Sequence, residues 1–120
     1  MAKIMIVDDA AFMRMMVKNI LSANGHEIVG EAGDGVQSLE KYEQLKPDLV
    51  TMDIVMPQLD GIEATKEIVR SHPDARIVMC TAVGQQGKVL EAMKAGAKGY
   101  IIKPFQAPKV IEEINKVLNS

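Results

Sequence analysis

Five short apolar runs recur along the chain: Lys3–Val7, Glu27–Glu31, Asp48–Met52, Arg76–Cys80 and Gly99–Ile102. Longer segments with helical spacing lie between them and after the last. This alternation limits the fold more than any other feature. Strands that alternate with helices pair in parallel, because a crossover between parallel neighbours needs a connection of helix size. Right-handed crossovers then place helices on both faces of the sheet. Strands covered on both faces read as unbroken apolar stretches, as "IMIV" and "IVMC" do. The expected fold class is α/β, a doubly wound parallel sheet of five strands with five helices.

The intervening segments carry the 3.6-residue period. Phe12, Met16, Ile20 and Leu21 can share one helix face, as can Val36, Leu39 and Tyr42. Ile62, Thr65, Ile68 and Val69 form a third stripe, and Val89, Leu90 and Met93 a fourth. Val110, Ile111, Ile114, Val117 and Leu118 give the clearest one. Asn24-Gly25 is suited to a left-handed helix end. Asp34 and Asp60 each precede a glycine at a plausible helix start. Pro47, Pro73 and Gly96 fall between elements.

At 120 residues the chain fits one domain with a core that needs no disulfide. Its single cysteine, Cys80, cannot form an internal bridge and is expected as a small core residue. No apolar leader or span of about 18 apolar residues is visible, so a reducing cytoplasm is expected, without membrane contact. The net charge of −2 argues against a nucleic-acid binder, which usually shows a basic stripe. Most of the nine methionines are expected in the core, although Met13, Met15 and Met16 cannot all share one helix face. His26 and His72 show no metal-ligand spacing and are expected at the surface.

In such sheets ligands bind beyond the carboxyl ends of the strands. The first strand runs into Asp8 and Asp9, the third into Asp53, the fourth into Thr81 and the fifth into Lys103. Three carboxylates, a hydroxyl and an ammonium are thus expected at one edge. Two carboxylates about 4 Å apart repel by roughly 4 kcal/mol at an effective dielectric of 20. Adjacent acids at the end of a buried strand therefore call for a cation. An all-oxygen set without His or Cys suits a hard ion, Mg²⁺ or Mn²⁺. Asp53 is the candidate nucleophile, since a carboxylate can accept a phosphoryl group. Lys103 would neutralise charge on the transferring oxygens, and Thr81 would donate a hydrogen bond to them. Taken singly, each residue has a simpler reading as a turn former, a solvated lysine or an ordinary strand threonine. Jointly, "DD", "D" before "xxMP", "TA" and "KP" at the ends of the right strands favour the site.

With these motifs the whole chain resembles the receiver domain of two-component response regulators, and more closely the single-domain chemotaxis type. The resemblance implies residues 1–120 as one receiver domain with flavodoxin-like strand order 2-1-3-4-5. It implies Asp8 and Asp9 as the acidic pair at the metal, Asp9 more directly and Asp8 often through water. Asp53 is implied as phosphoacceptor and metal ligand, with the backbone carbonyl of Val55 as a further ligand. Thr81 and Lys103 would hold the phosphoryl group, and Tyr100 falls at the aromatic switch position. The fourth helix, fifth strand and fifth helix would form the remodelled face, and the Lys103-Pro104 bond is expected to be cis.

Function follows as an expectation: a monomeric switch that takes a phosphoryl group from a histidine kinase and acts on the flagellar motor switch protein. An auxiliary phosphatase is a further implied partner. Such a chain catalyses only its own phosphorylation and dephosphorylation. Val55 and Val83 are apolar at positions where relatives often carry polar groups, which implies slow self-dephosphorylation. "VGQQGK" places Gly84 and Gly87 at the start of the fourth helix, as a turn or a hinge. The alternatives are a relay receiver of a non-chemotaxis pathway, such as a sporulation phosphorelay, or a receiver excised from a larger regulator. An aspartyl-nucleophile phosphatase of the haloacid dehalogenase type would want D-x-D, where this chain has Asp53-Ile54-Val55. A flavodoxin-like cofactor carrier would need a phosphate loop where "DDAAF" offers acids.

Overall fold

The computed structural model describes residues 2–120. In chain order the elements are β1 (Lys3–Val7), α1 (Ala11–Ala23), β2 (Glu27–Ala32), α2 (Gly35–Leu45), β3 (Leu49–Asp53), α3 (Gly61–Ser71), β4 (Ile77–Ala82), α4 (Gln86–Ala95), β5 (Gly99–Lys103) and α5 (Ala107–Leu118). The strands form one parallel sheet in the order β2-β1-β3-β4-β5. Both the fold class and the strand order match the expectation. Four of the five strands end one or two residues later than their apolar runs, so Asp53, Thr81 and Lys103 lie inside strand ends.

Two cores flank the sheet. Ile4, Ile6, Leu49, Val78, Cys80 and Ile101 face one side and meet Val17 and Leu21 of α1 and Val110, Ile114 and Val117 of α5. Met5, Val7, Val50, Met52, Ile77 and Met79 face the other and meet α2, α3 and Ala92 of α4. All five residues of β3 are buried, as a central strand covered on both faces requires.

The helix starts and stops follow local chemistry. Asp34 accepts a hydrogen bond from the Gln37 amide and Asp60 one from the Glu63 amide, so both cap their helices as expected. Gly96 closes α4 in the left-handed region, with φ at 117°.

Some faces differ from the expectation. Phe12 and Val36 point outward, whereas Met16, Ile20 and Leu21 of α1 face the core as expected, joined by Val17. Leu90 and Met93 of α4 are exposed, and only Ala92 of that helix is buried. Shared spacing shows that residues lie on one face, but not that this face meets the sheet. Met5, Met52, Met56 and Met79 are in the core, while Met15 and Met93 face out. Cys80 is buried as expected. His72 is no free surface residue: it is half-buried, lies 2.6 Å from Glu43 and packs its ring against Tyr42 at 5.0 Å between centroids, tilted by 51°. His26 is also half-buried and accepts a hydrogen bond from the Ala2 amide at 3.2 Å.

Candidate phosphoryl and metal site

Register brings the predicted residues together. Val7 pairs with Met52 and Asp53 with Cys80, while Ala82 pairs with Lys103. Parallel neighbours that end level place Asp8, Asp53, Thr81 and Lys103 along one edge of the sheet.

The Lys103 ammonium sits between two carboxylates. Its Nζ donates to Asp8 Oδ2 at 3.1 Å and lies 3.3 Å from Asp53 Oδ1. Burial alone would lower the Lys103 pKa, but the charges of Asp53 and Asp8 outweigh it and raise it. At Asp53 burial is the largest influence and the like charge of Asp8 comes next. Together they push its carboxyl up to about 6, against the opposing pull of Lys103.

Asp8 is fully engaged. Its amide donates to the Ala32 carbonyl at 3.1 Å, and its carbonyl accepts from the Arg14 guanidinium at 2.6 Å. Its Oδ1 accepts from the Ala10 amide at 2.9 Å, and its Oδ2 faces Lys103. Asp9, the next residue, is exposed.

One carboxylate oxygen from each of Asp8, Asp9 and Asp53 lies within 4.8 Å of the others. Opposite ligands of an octahedral Mg²⁺, with bonds of about 2.1 Å, stand about 4.2 Å apart, so the spacing is of the right size. Three carboxylates against one ammonium leave two uncompensated negative charges, consistent with the raised Asp53 pKa. The acidic trio therefore fits a hard divalent cation, and its oxygen-only donor set favours Mg²⁺ or Mn²⁺ over softer ions.

Thr81 is buried at the end of β4, with its hydroxyl turned toward the start of α4. Its Oγ1 lies 3.3 Å from the Gln85 side-chain oxygen, and the Ala82 amide lies 3.4 Å from the same oxygen. Gln85 was not among the residues the sequence singled out. Its only signal was its place four residues after Thr81 in "TAVGQQGK". Arg14 was missed as well, for want of any motif. Val55 lies in the loop after β3 with its side chain exposed, as is that of Val83 beyond β4. Tyr100 is 43% exposed on β5. With Val83, Leu90, Met93 and Ile102 it lines an apolar groove of about 410 Å³ running from Thr81 along α4. The Lys103-Pro104 bond is cis.

The response regulator receiver domain profile matches residues 4–115. The chain is 61% identical over 117 residues to the chemotaxis protein CheY of Bacillus subtilis, covering 98% of each chain. It is 56% identical over 115 residues to CheY of Thermotoga maritima, covering 96% of each. Among solved structures it superposes with a TM-score of 0.92 on a chain of the CheX-CheY-BeF3-Mg complex from Borrelia burgdorferi. That match has 33% identity and covers 96% of this chain and 87% of that one.

Proposed function

The chain belongs to the response regulator receiver family, and from that premise we propose that Asp53 accepts the phosphoryl group that switches it. Its CheY-like relatives make it a phosphorylation-activated response regulator of two-component chemotaxis signalling, a switch rather than a classical enzyme. The observation that carries the site reading is Lys103 held between Asp8 and Asp53 beside the exposed Asp9.

In this reading a carboxylate oxygen of Asp53 bonds to phosphorus as the N–P bond of a phosphohistidine donor breaks. The bonding pair leaves with the imidazole nitrogen, which takes up a proton. Lys103 offers its ammonium to the oxygens on which charge develops, and the Thr81 hydroxyl donates to one of them. Asp9, Asp53 and the Val55 carbonyl would hold Mg²⁺, with Asp8 acting through water. When bound, Mg²⁺ neutralises charge on the transferring phosphoryl oxygens. Thr81 would leave Gln85 to reach the phosphoryl group. Its departure opens space beside Tyr100 and changes the face formed by α4, β5 and α5. The apolar groove along that face supports this route to a partner.

The donor is a histidine kinase of the chemotaxis pathway and the target is the flagellar motor switch protein, both in the cytoplasm. A phosphatase of the CheX kind is a further partner, by analogy with the Borrelia complex. Among the described residues, no helix is long and apolar enough to cross a membrane.

The test is incubation with Mg²⁺ and acetyl phosphate, followed by intact mass. One phosphoryl adduct is expected, absent without metal and absent in Asp53→Asn. An adduct that persists in Asp53→Asn would overturn the assignment.

A further inference from the structure

Helix α1 begins without a capping side chain, because its N-cap is Ala10. The turn that carries the two acids is held by the Ala10 amide on Asp8 Oδ1 and the Asp8 amide on the Ala32 carbonyl, and Arg14 adds a side-chain anchor to it. From the first turns of α1 its guanidinium reaches back to the Asp8 carbonyl at 2.6 Å. Its Nε meets Glu31 Oε1 on the neighbouring strand β2 at 3.0 Å. Glu31 is itself fixed: Lys41 of α2 donates to its carbonyl, and Lys18 lies 3.9 Å from its other carboxylate oxygen. An exposed Arg–Glu pair by itself would mean little. Here the Arg14 and Glu31 side chains are only 21% and 37% exposed, and the guanidinium fork spans two rigid elements and the acidic turn.

We infer that Arg14, oriented by Glu31, is a positioning residue for the metal site. It fixes the Asp8 backbone so that the Asp8 carboxylate aims inward at Lys103 and the Asp9 carboxylate stays outward, free for the cation. This rests on the reading of the acidic trio as a Mg²⁺ site.

Charge and geometry predict opposite signs. Arg14 is a cation near a cation site, so by charge alone Arg14→Ala would tighten Mg²⁺ binding. If Arg14 positions the acids, the same change weakens it. Arg14→Lys keeps the charge but loses the fork. The experiment is calorimetric titration of the full chain with MgCl₂ at constant ionic strength, alongside unfolding in EDTA. Expected is a loss of Mg²⁺ affinity of about tenfold in Arg14→Ala, in the range typical of residues that support metal ligands. A smaller loss is expected in Arg14→Lys, which also serves if the alanine variant fails to fold. Arg14 variants that are merely less stable in EDTA, with affinity equal to or tighter than wild type, would overturn the inference alone. A wild-type chain that neither binds Mg²⁺ nor gains an adduct at Asp53 would overturn the underlying reading as well.

Discussion

Gly61 lies directly against the backbone of Asp53: a Cβ built at position 61 would overlap the Asp53 carbonyl oxygen and stand 2.9 Å from its carbonyl carbon. The Gly61 amide also donates to the Ile54 carbonyl at 2.8 Å. The start of α3 is thus pressed onto the strand end that presents Asp53, and only a residue without a side chain allows it. Gly61→Ala should cost about 2–3 kcal/mol, the scale of overpacking at a rigid contact. Urea unfolding measures it. A loss within a few tenths of a kcal/mol would mean that α3 can shift freely against β3.

Asp53 makes metal-free stability depend on pH. Its folded pKa of about 6 lies above the ordinary value of 3.8, so the folded state holds this proton more tightly than the unfolded chain does. A carboxyl of that kind supports the fold fully below pH 3.8, and the support drains away as pH rises to 6. At pH 7 the ionised group is a net burden. One pKa unit is worth about 1.4 kcal/mol. Solvent screening at the site rim and the loss of the Lys103 partner reduce the return to about 1–2 kcal/mol. Asp53→Asn in EDTA should therefore be more stable than wild type at pH 7.5 and lose that advantage near pH 4. Thermal melts at the two pH values decide it, and equal melting points at pH 7.5 would remove the premise.

Strands and caps were legible because they answer to local rules. Double-sided burial makes the bodies of β1 and β4 apolar without interruption and leaves Thr51 as the one polar residue inside β3, and Asp34 and Asp60 cap the residues that follow them in sequence. The acids, Thr81 and Lys103 could be placed because parallel strands deliver their last residues to one edge. The face of α4 that meets the sheet could not be read, since it offers apolar residues on more than one face and the sheet selects between them, whereas on α1 only Phe12 departs from its stripe. Arg14 and Gln85 were invisible for a different reason. The bond from Arg14 to Glu31 joins residues far apart in sequence, and Gln85 meets Thr81 across a turn, so neither follows a periodic pattern.

Thr51 is a second point at which polarity and position conflict. Its hydroxyl is buried in the centre of β3 and, among the described residues, has no hydrogen-bond partner. Its strand neighbours are Ile6 and Val78. Valine has nearly the same shape and no desolvation cost. Thr51→Val should stabilise the chain by about 1 kcal/mol, the lower end of the cost of an orphaned hydroxyl. The midpoint of urea unfolding should rise with an unchanged slope. A fall would mean that the hydroxyl is satisfied, for instance by a buried water.

Val55 and Val83 set the expected lifetime of the phosphorylated state. Both side chains are exposed beside the candidate site, 60% and 77%, and neither can hydrogen-bond a water. Hydrolysis of an aspartyl phosphate needs a water aligned with the phosphorus, and a side-chain amide can hold one where valine only excludes it. One added hydrogen bond of about 1 kcal/mol in the transition state corresponds to roughly a fivefold rate increase. Val55→Asn should therefore lose its phosphoryl group about fivefold faster than wild type, with Mg²⁺ affinity unchanged. The check is to load both proteins with acetyl phosphate, remove the donor, and follow decay of the adduct by intact mass. Equal decay rates would show that the apolar rim does not limit the attacking water, and would shift attention to Thr81 and Gln85.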